Sequence, residues 1–259
     1  MWESWKSHST VYKNRVRFAV HANTDIKEHF VDRYYIDNQI KTAWCGASLV
    51  YAFQNSVREI LAKYPNVRMI YLVSGLCVSV KPLSALFQRG KFKTTIWKAN
   101  HPKTMLTRIQ KLKLPVPARK LSYHSQWLCL TRKHAQIIAN YDFTNLEQAN
   151  RIINEQKTLK LCPDEYWIAS ALKLSEVNFS EDVIDNCLTE SARSQNGDPS
   201  PITWSSLSER KKVWNGRNRV FRTLQDELES AAEDEDETVM FYRKVSSRVN
   251  LRGIFSFYP

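Results

Sequence analysis

The heptapeptide VRMIYLV, Val67 to Val73, is a nearly unbroken apolar run closed by Ser74-Gly75. A strand of that composition suits a sheet covered on both faces, which is the habit of parallel sheets. Earlier elements agree. Val16, Phe18 and Val20 alternate with Arg15, Arg17 and Ala19, a half-buried strand that ends at His21. A second short strand is expected near Tyr34 to Ile36. Ser48 can then cap a helix in which Leu49, Val50, Phe53, Val57, Ile60 and Leu61 recur at helical spacing, and Pro65 ends it. This strand, helix, strand order predicts an α/β fold with a mostly parallel central sheet. Ligands of such sheets gather beyond the carboxyl ends of the strands, so His21 and Ser74-Gly75 are expected at one edge.

Further along, Trp127 to Leu130 reads as a strand, Arg132 to Tyr141 as a helix and Leu146 to Leu159 as an amphipathic helix leading into a turn at Pro163. That turn, Cys162-Pro163-Asp164-Glu165-Tyr166-Trp167, sets two adjacent carboxylates ahead of the apolar run Trp167 to Leu172. Proline at the first helical position and acids in the first turn are ordinary helix-start features, so the turn by itself requires no chemistry. Residues 188–201, centred on Asn196-Gly197-Asp198-Pro199, read as a flexible surface loop, and residues 226–238 as a flexible acidic linker. Val239 to Tyr242 is a short strand or helix entry with Arg243-Lys244 at its end. At 259 residues the chain fits a single domain, 1–259.

Several function classes lack their signatures. No GxxxxGK[ST] loop, GxGxxG, HExxH or GxSxG is present. The histidines, His8, His21, His29, His101, His124 and His134, do not pair with cysteine at metal-ligand spacing. A D-x-D pair that could bridge a metal to a diphosphate is expected just after a core strand, but that place reads Ser74-Gly75-Leu76-Cys77. Asp234-Glu235-Asp236 matches only within an acidic run, which reads as solvated linker. No metal site is therefore expected. Cys45, Cys77, Cys129, Cys162 and Cys187 are odd in number and hold no CxxC pair, which argues against a disulfide framework and for reduced thiols. No run has membrane-span length, and Met1 to Lys6 has no apolar segment of a signal peptide behind it, so a cytoplasmic setting is expected.

Charge adds one further reading. The formal net charge is +12, and from Arg89 to Lys133 there are twelve Lys or Arg and no acid, whereas Asp226 to Glu237 holds eight acids and no base. The basic window either attracts a polyanion, such as nucleic acid or nucleotide phosphates, or is a solvated face.

Taken in order, the blocks VRFAVH, TAWCGASLVYA, MIYLVSGLCVSVKP, HSQWLCLTRKHA, CPDEYWIASAL and MFYRKVS resemble the core-2/I-branching family of glycosyltransferases. That family contains β-1,6-N-acetylglucosaminyltransferases, peptide O-xylosyltransferases and plant and viral relatives. The resemblance runs over most of the chain and is weakest from Ser180 to Glu237. It implies a GT-A-like, Rossmann-like fold and an inverting transferase that moves a sugar, xylose or N-acetylglucosamine, from a UDP-sugar to a glycan hydroxyl. No cofactor and no divalent metal are needed in such an enzyme, and no nucleic-acid partner is expected.

By position, Glu165 resembles the family's general base, with Asp164 as a capping or positioning residue on the acceptor side. Lys244 matches the late basic residue, and Arg243 the Arg-Lys pair of the xylosyltransferase branch. Both would meet the diphosphate, with Arg217, Arg219 or Arg222 as a third cation. The bland alternative for Arg243 and Lys244 is a pair of surface charges. His21, Trp44, Ser48, Ser74 and Gly75 match positions around nucleotide and donor sugar, although Trp44 could equally be core. Ser125, Gln126 and Trp127 match the acceptor side, and Trp204 is a second candidate platform. Cys77 departs from the acid of the animal branching enzymes and agrees with the plant members. The anchor and disulfide-forming cysteines of the animal enzymes are missing, which fits a cytosolic enzyme on a virus-like or unicellular route. The alternatives are a nucleic-acid-binding module built on residues 89–133 and a catalytically inactive transferase-like scaffold.

Overall fold

The computed structural model describes residues 15–22, 33–73, 77–79, 93–96, 103–156, 161–184, 189–190 and 241–243. They divide between two compact units. One takes in Arg17–Leu72 and Phe92–Asn186, and the other Met1–Val16, Val73–Lys91 and Cys187–Pro259. Among the described residues helices and strands mix, so the fold is α/β in the broad sense.

In the first unit β1 (Phe18–Val20) pairs in parallel with β2 (Arg33–Tyr35), and the Ile36 N–H extends the ladder to the Val20 carbonyl at 3.0 Å. Helix α1 (Ala47–Lys63) follows, with Val50, Phe53 and Val57 buried as their spacing predicts. It stops just before the residue ahead of Pro65, which disfavours helical backbone at that position. The apolar heptapeptide contributes β3 (Met69–Tyr71).

The sheet around β3 corrects the expectation of a mostly parallel one. With β5 (Thr94–Ile96), β6 (Leu128–Thr131) and β7 (Val183–Ile184), β3 forms a sheet of order β3-β6-β5-β7. Both β3 and β5 run antiparallel to β6, and only the β5–β7 pairing is parallel. Among the described strands β3 lies at the edge, with Ile70 buried and Met69 and Tyr71 only half-buried. The strand buried throughout its centre is β6, whose Leu128, Cys129 and Leu130 are inaccessible. An antiparallel neighbour needs no helical crossover, so the chain reaches β6 by a different route from the one a strand, helix, strand reading suggests. Among the described strands β1 and β3 lie in separate sheets, and Ser74-Gly75, the other half of the expected shared edge, lies outside the described residues.

Helix α2 (Lys103–Gln110) precedes β6, and α3 (Arg132–Asn140) leaves it directly. Thr131 caps α3 by accepting from the His134 N–H at 3.3 Å, an ordinary role for a threonine at that position. The far end of α3 is finished by α1. Buried Gln54 donates to the Ile138 and Tyr141 carbonyls at 2.9 and 2.8 Å, and Arg58 Nε to Ala139 at 2.5 Å. These are the carbonyls that a helix end leaves without intrahelical partners. Next come α4 (Thr144–Glu155), α5 (Trp167–Leu174) and α6 (Phe179–Asp182). Residues Trp167 to Leu172 are all buried, so α5 is the central helix of this core. Phe143 stacks on Trp167 at 5.5 Å between ring centroids, and Tyr51 meets both edge-on. The offset and edge-on arrangements are those the ring quadrupoles favour.

In the second unit, β4 (Cys77–Ser79), β8 (Thr189–Glu190) and β9 (Phe241–Arg243) form a sheet of order β4-β9-β8. β9 runs antiparallel to β4 and parallel to β8. Thr189 and Glu190 are therefore paired strand rather than loop, whereas the remainder of 188–201 and all of 226–238 lie outside the described residues. No helix among the described residues is long and apolar enough to cross a membrane.

Candidate active site

Pro163 begins a short 3-10 turn, Pro163–Glu165, which delivers the chain into α5. Its fixed φ and missing N–H suit that first position. The Glu165 N–H returns to the Cys162 carbonyl at 2.9 Å, and the Tyr166 N–H to Pro163 at 3.2 Å. Tyr166 then points inward, donating to Asn150 Oδ1 on α4 at 2.9 Å. Asp164 lies within the 3-10 turn, and the residue at the N-cap of α5 is Tyr166, which makes no side-chain cap. The expected helix-capping role of Asp164 is thereby corrected. Its position one residue before Glu165 remains.

Two distant segments hold this turn. The first is Lys120 to Ser125, which lies alongside the turn and α5. Lys120 Nζ donates to the Lys173 carbonyl at 2.9 Å and pairs with Glu176 at 3.0 Å. The Ser122 N–H donates to Ser170 Oγ at 2.9 Å, and the His124 N–H to the Glu165 carbonyl at 2.7 Å. The Tyr123 hydroxyl donates to Glu165 Oε2. Burial, then that hydrogen bond and the charge of Glu165, then the charge of Asp164, push Tyr123 above the ordinary phenol range. Tyr123 therefore stays a donor at neutral pH. Glu165 itself is half-buried, and its Oε1 has no hydrogen-bond partner among the described residues.

The second segment is joined by a covalent bond. Cys45 and Cys162 form a disulfide with their α-carbons 4.5 Å apart, across 117 residues of sequence. This corrects the expectation of reduced thiols: the partners lie so far apart in sequence that only the fold brings them within bonding reach. Cys129 is buried and lies outside this disulfide. Cys45 sits at φ 59°, in the left-handed region that non-glycine residues seldom adopt. Next to it, Gly46 is the N-cap of α1, and a β-carbon there would meet the Ala43 carbonyl at 3.1 Å. Ser48 is thus not the cap. Its hydroxyl accepts from the Ala43 N–H at 3.0 Å and fixes the turn ahead of the helix.

The disulfide places the Trp44–Ser48 turn beside the Glu165 turn. Trp44 is 75% exposed, which excludes the core alternative and places its indole at the surface. Trp127 has the opposite fate. It is only 8% exposed, so the expected acceptor platform is a core residue, anchored at the start of the fully buried strand β6. Ser125 is buried too, its hydroxyl accepting from the Trp127 N–H at 3.3 Å. Gln126 is half-buried between them.

His21 follows β1 and accepts from the Ile40 N–H at 3.1 Å through Nε2. Burial holds its pKa below the usual imidazole value, so it is neutral. His124 is wholly buried, with Nδ1 bonded to the Ser125 carbonyl at 2.7 Å, so that nitrogen carries the proton. Burial lowers its pKa to about 4. Arg243 belongs to β9 in the other unit. Ser74, Gly75, Trp204, Lys244 and the three candidates Arg217, Arg219 and Arg222 lie outside the described residues.

Within the basic window, Arg108, Lys111, Lys113 and Arg119 are exposed. Others are engaged in the fold: Lys120 as above, Arg132 with the Tyr64 carbonyl at 3.4 Å, and Lys133 with Asp182 at 3.8 Å. No group of three His, Cys, Asp or Glu side chains is gathered as metal ligands among the described residues.

The two residues missed in the sequence, Tyr123 and the bonded Cys45, both adjoin blocks that carry the resemblance. Tyr123 immediately precedes HSQW, and Cys45 is the central residue of TAWCGAS. No family model matches the chain, and no curated protein sequence matches it.

Proposed function

We propose that this chain is an inverting glycosyltransferase with a GT-A-like fold, in which Glu165 is the general base. One observation carries the reading. Glu165 is held on one side by Tyr123 and through its own carbonyl by His124, while its Oε1 is left without a partner among the described residues. A general base needs that combination: a fixed carboxylate with one oxygen open to a substrate proton.

In the proposed reaction Glu165 removes the proton of a glycan hydroxyl as that oxygen bonds to the anomeric carbon of a UDP-sugar. The bond from that carbon to the diphosphate breaks on the opposite face, its electron pair leaving with UDP. Arg243 and Lys244 are the cations that the resemblance assigns to the departing diphosphate, and side-chain cations can stabilise such a charge without a divalent ion. The exposed Trp44 indole supplies an aromatic face for a sugar on the donor side. Gln126 supplies a side-chain amide on the acceptor side.

The Cys45–Cys162 disulfide supports an oxidising compartment rather than the cytosol expected from the sequence. Incubating the full chain with UDP-xylose or UDP-N-acetylglucosamine and a glycan acceptor tests the reaction. The expected product has inverted anomeric configuration, Glu165→Gln fails to form it, and EDTA leaves the rate unchanged. Full transfer by Glu165→Gln, or EDTA inhibition reversed by manganese, sinks the corresponding part of the proposal. A thermal-shift comparison of UDP-sugars with single-stranded nucleic acid separates the transferase from a binding module on Arg108, Lys111, Lys113 and Arg119.

A further inference from the structure

We infer that Tyr123 is the positioning residue for Glu165, fixing which carboxylate oxygen faces the acceptor; this rests on the reading of Glu165 as the base. The hydroxyl reaches Oε2 and not Oε1. A charge-assisted bond of that kind is about twice as strong as one between neutral groups. It also restricts rotation about the terminal carboxyl torsion, which is otherwise broad and two-fold.

Tyr123 is itself fixed. Its neighbours on both sides are tied to the elements that carry Glu165: Ser122 to Ser170 on α5, and His124 to the Glu165 carbonyl. Ring and carboxylate therefore belong to one frame. A bulky aromatic donor does here what a mobile lysine could not do with equal precision, because the phenol ring has only two side-chain torsions to order.

The titratable groups on the elements that meet at the turn leave Tyr123 as the controlling partner. Asp164 lies on the same turn and opposes a second negative charge. His124 is neutral, held so by burial. Tyr166 is bonded to Asn150, and Tyr51 of α1 to Glu147 of α4 at 2.8 Å. Lys120 is committed to Lys173 and Glu176. Cys162 is in the disulfide and does not titrate.

The decisive comparison is wild type against Tyr123→Phe, which keeps the ring and removes only the donor. Two measurements are made on the full chain. Carboxyl-carbon NMR of glutamate-labelled protein, with Glu165→Gln assigning the signal, reports the carboxylate without requiring turnover. Steady-state kinetics report its use. The signal of Glu165 at neutral pH is expected to shift in Tyr123→Phe, because one carboxylate oxygen loses its donor. With it, kcat is expected to fall about 10-fold while the donor KM stays unchanged. An unmoved signal overturns the inference whatever the activity, and so does a moved signal with wild-type kcat. If the signal moves but wild type transfers no sugar from any UDP donor, the transferase reading fails and takes the catalytic role of Tyr123 with it. A folded, cooperative thermal transition in Tyr123→Phe shows that the effect is local.

Discussion

Glu59 and Glu165 are both half-buried carboxylates, and the structure treats them in opposite ways. Glu59, on α1, accepts four hydrogen bonds. Its Oε2 takes the Tyr34 hydroxyl at 2.8 Å and the Asp37 N–H at 2.9 Å; its Oε1 takes the Asn38 N–H at 3.2 Å and the Asn55 amide at 3.0 Å. Among the described residues Glu165 accepts one side-chain bond, on Oε2 alone. A carboxylate whose oxygens are both filled is a structural bolt. One that is clamped on a single side, in a turn braced by a disulfide, retains capacity for a proton. Local sequence does not make this distinction, since the donors other than Asn55 come from segments that lie far away along the chain.

The largest expected effect is the sharpest contrast between the two. Glu165→Gln should lower transfer by roughly 10²–10⁴-fold, the usual contribution of a positioned general base, while leaving the melting temperature close to wild type. Glu59→Gln should do the reverse. If both variants lose activity in proportion to lost stability, the division between bolt and base is wrong.

The brace on the Glu165 side comes next. Replacing Cys45 with Ser opens a link across 117 residues, and loss of a native disulfide commonly costs about 2–5 kcal/mol. The denaturation midpoint should fall accordingly, and the Trp44 turn should gain hydrogen exchange along with the Pro163 turn. Free-thiol titration of unreduced protein checks the bond itself. Five reactive thiols in the denatured, unreduced chain would refute it, since its cysteines number five in all.

How much of this was legible beforehand depends on the distance over which each feature is decided. The buried Val50, Phe53 and Val57 of α1 follow from helical periodicity, and the Pro163 turn from proline chemistry, because both are settled within a few residues. The strand partners of β3 are settled by segments sixty residues away, and an apolar run looks the same beside a parallel or an antiparallel neighbour. Trp127 and Trp44 illustrate the same limit. Their side chains are equally apolar, but one begins the central strand and the other tops a turn. The candidate base was visible through its block; its clamp was not. Tyr123 and Glu165 are separated by the whole of β6, α3 and α4, and nothing within either segment announces the other.

Acid should act on the Glu165 side first. The unfolded imidazole of His124 takes up a proton near pH 6.5, whereas in the folded protein it does so only near pH 4. Between these values the unfolded state binds the extra proton, so stability falls as pH is lowered, with a slope of up to about 1.4 kcal/mol per pH unit. Above pH 6.5 the contribution is complete, and below about 4 the slope vanishes. His124→Asn, which retains an amide donor for the Ser125 carbonyl, should flatten the dependence in that window. An unchanged pH–stability curve in the variant would mean that His124 is accessible to protons in the native state.

Glu59 should respond later and less. Burial alone would raise its pKa, but the Asp37 N–H, the Tyr34 hydroxyl, the Asn38 N–H and the Asn55 amide together hold it below the ordinary glutamate value of 4.5. Its stabilisation is therefore complete above pH 4.5 and is lost only as pH falls through that lower value. Glu59→Gln removes the charge and turns one accepting oxygen into a donor. Whichever oxygen is replaced, the new amide confronts a backbone N–H, of Asp37 or of Asn38. Because the site is partly hydrated, the expected cost is modest, about 1–2 kcal/mol at pH 7, and it should shrink towards zero as wild type itself becomes protonated. Measuring the difference in unfolding free energy between wild type and Glu59→Gln at pH 7 and pH 3 resolves the two contributions. A penalty that persists unchanged at pH 3 would place it in the shape of the side chain rather than in its charge, and Glu59 would then differ from Glu165 in packing alone.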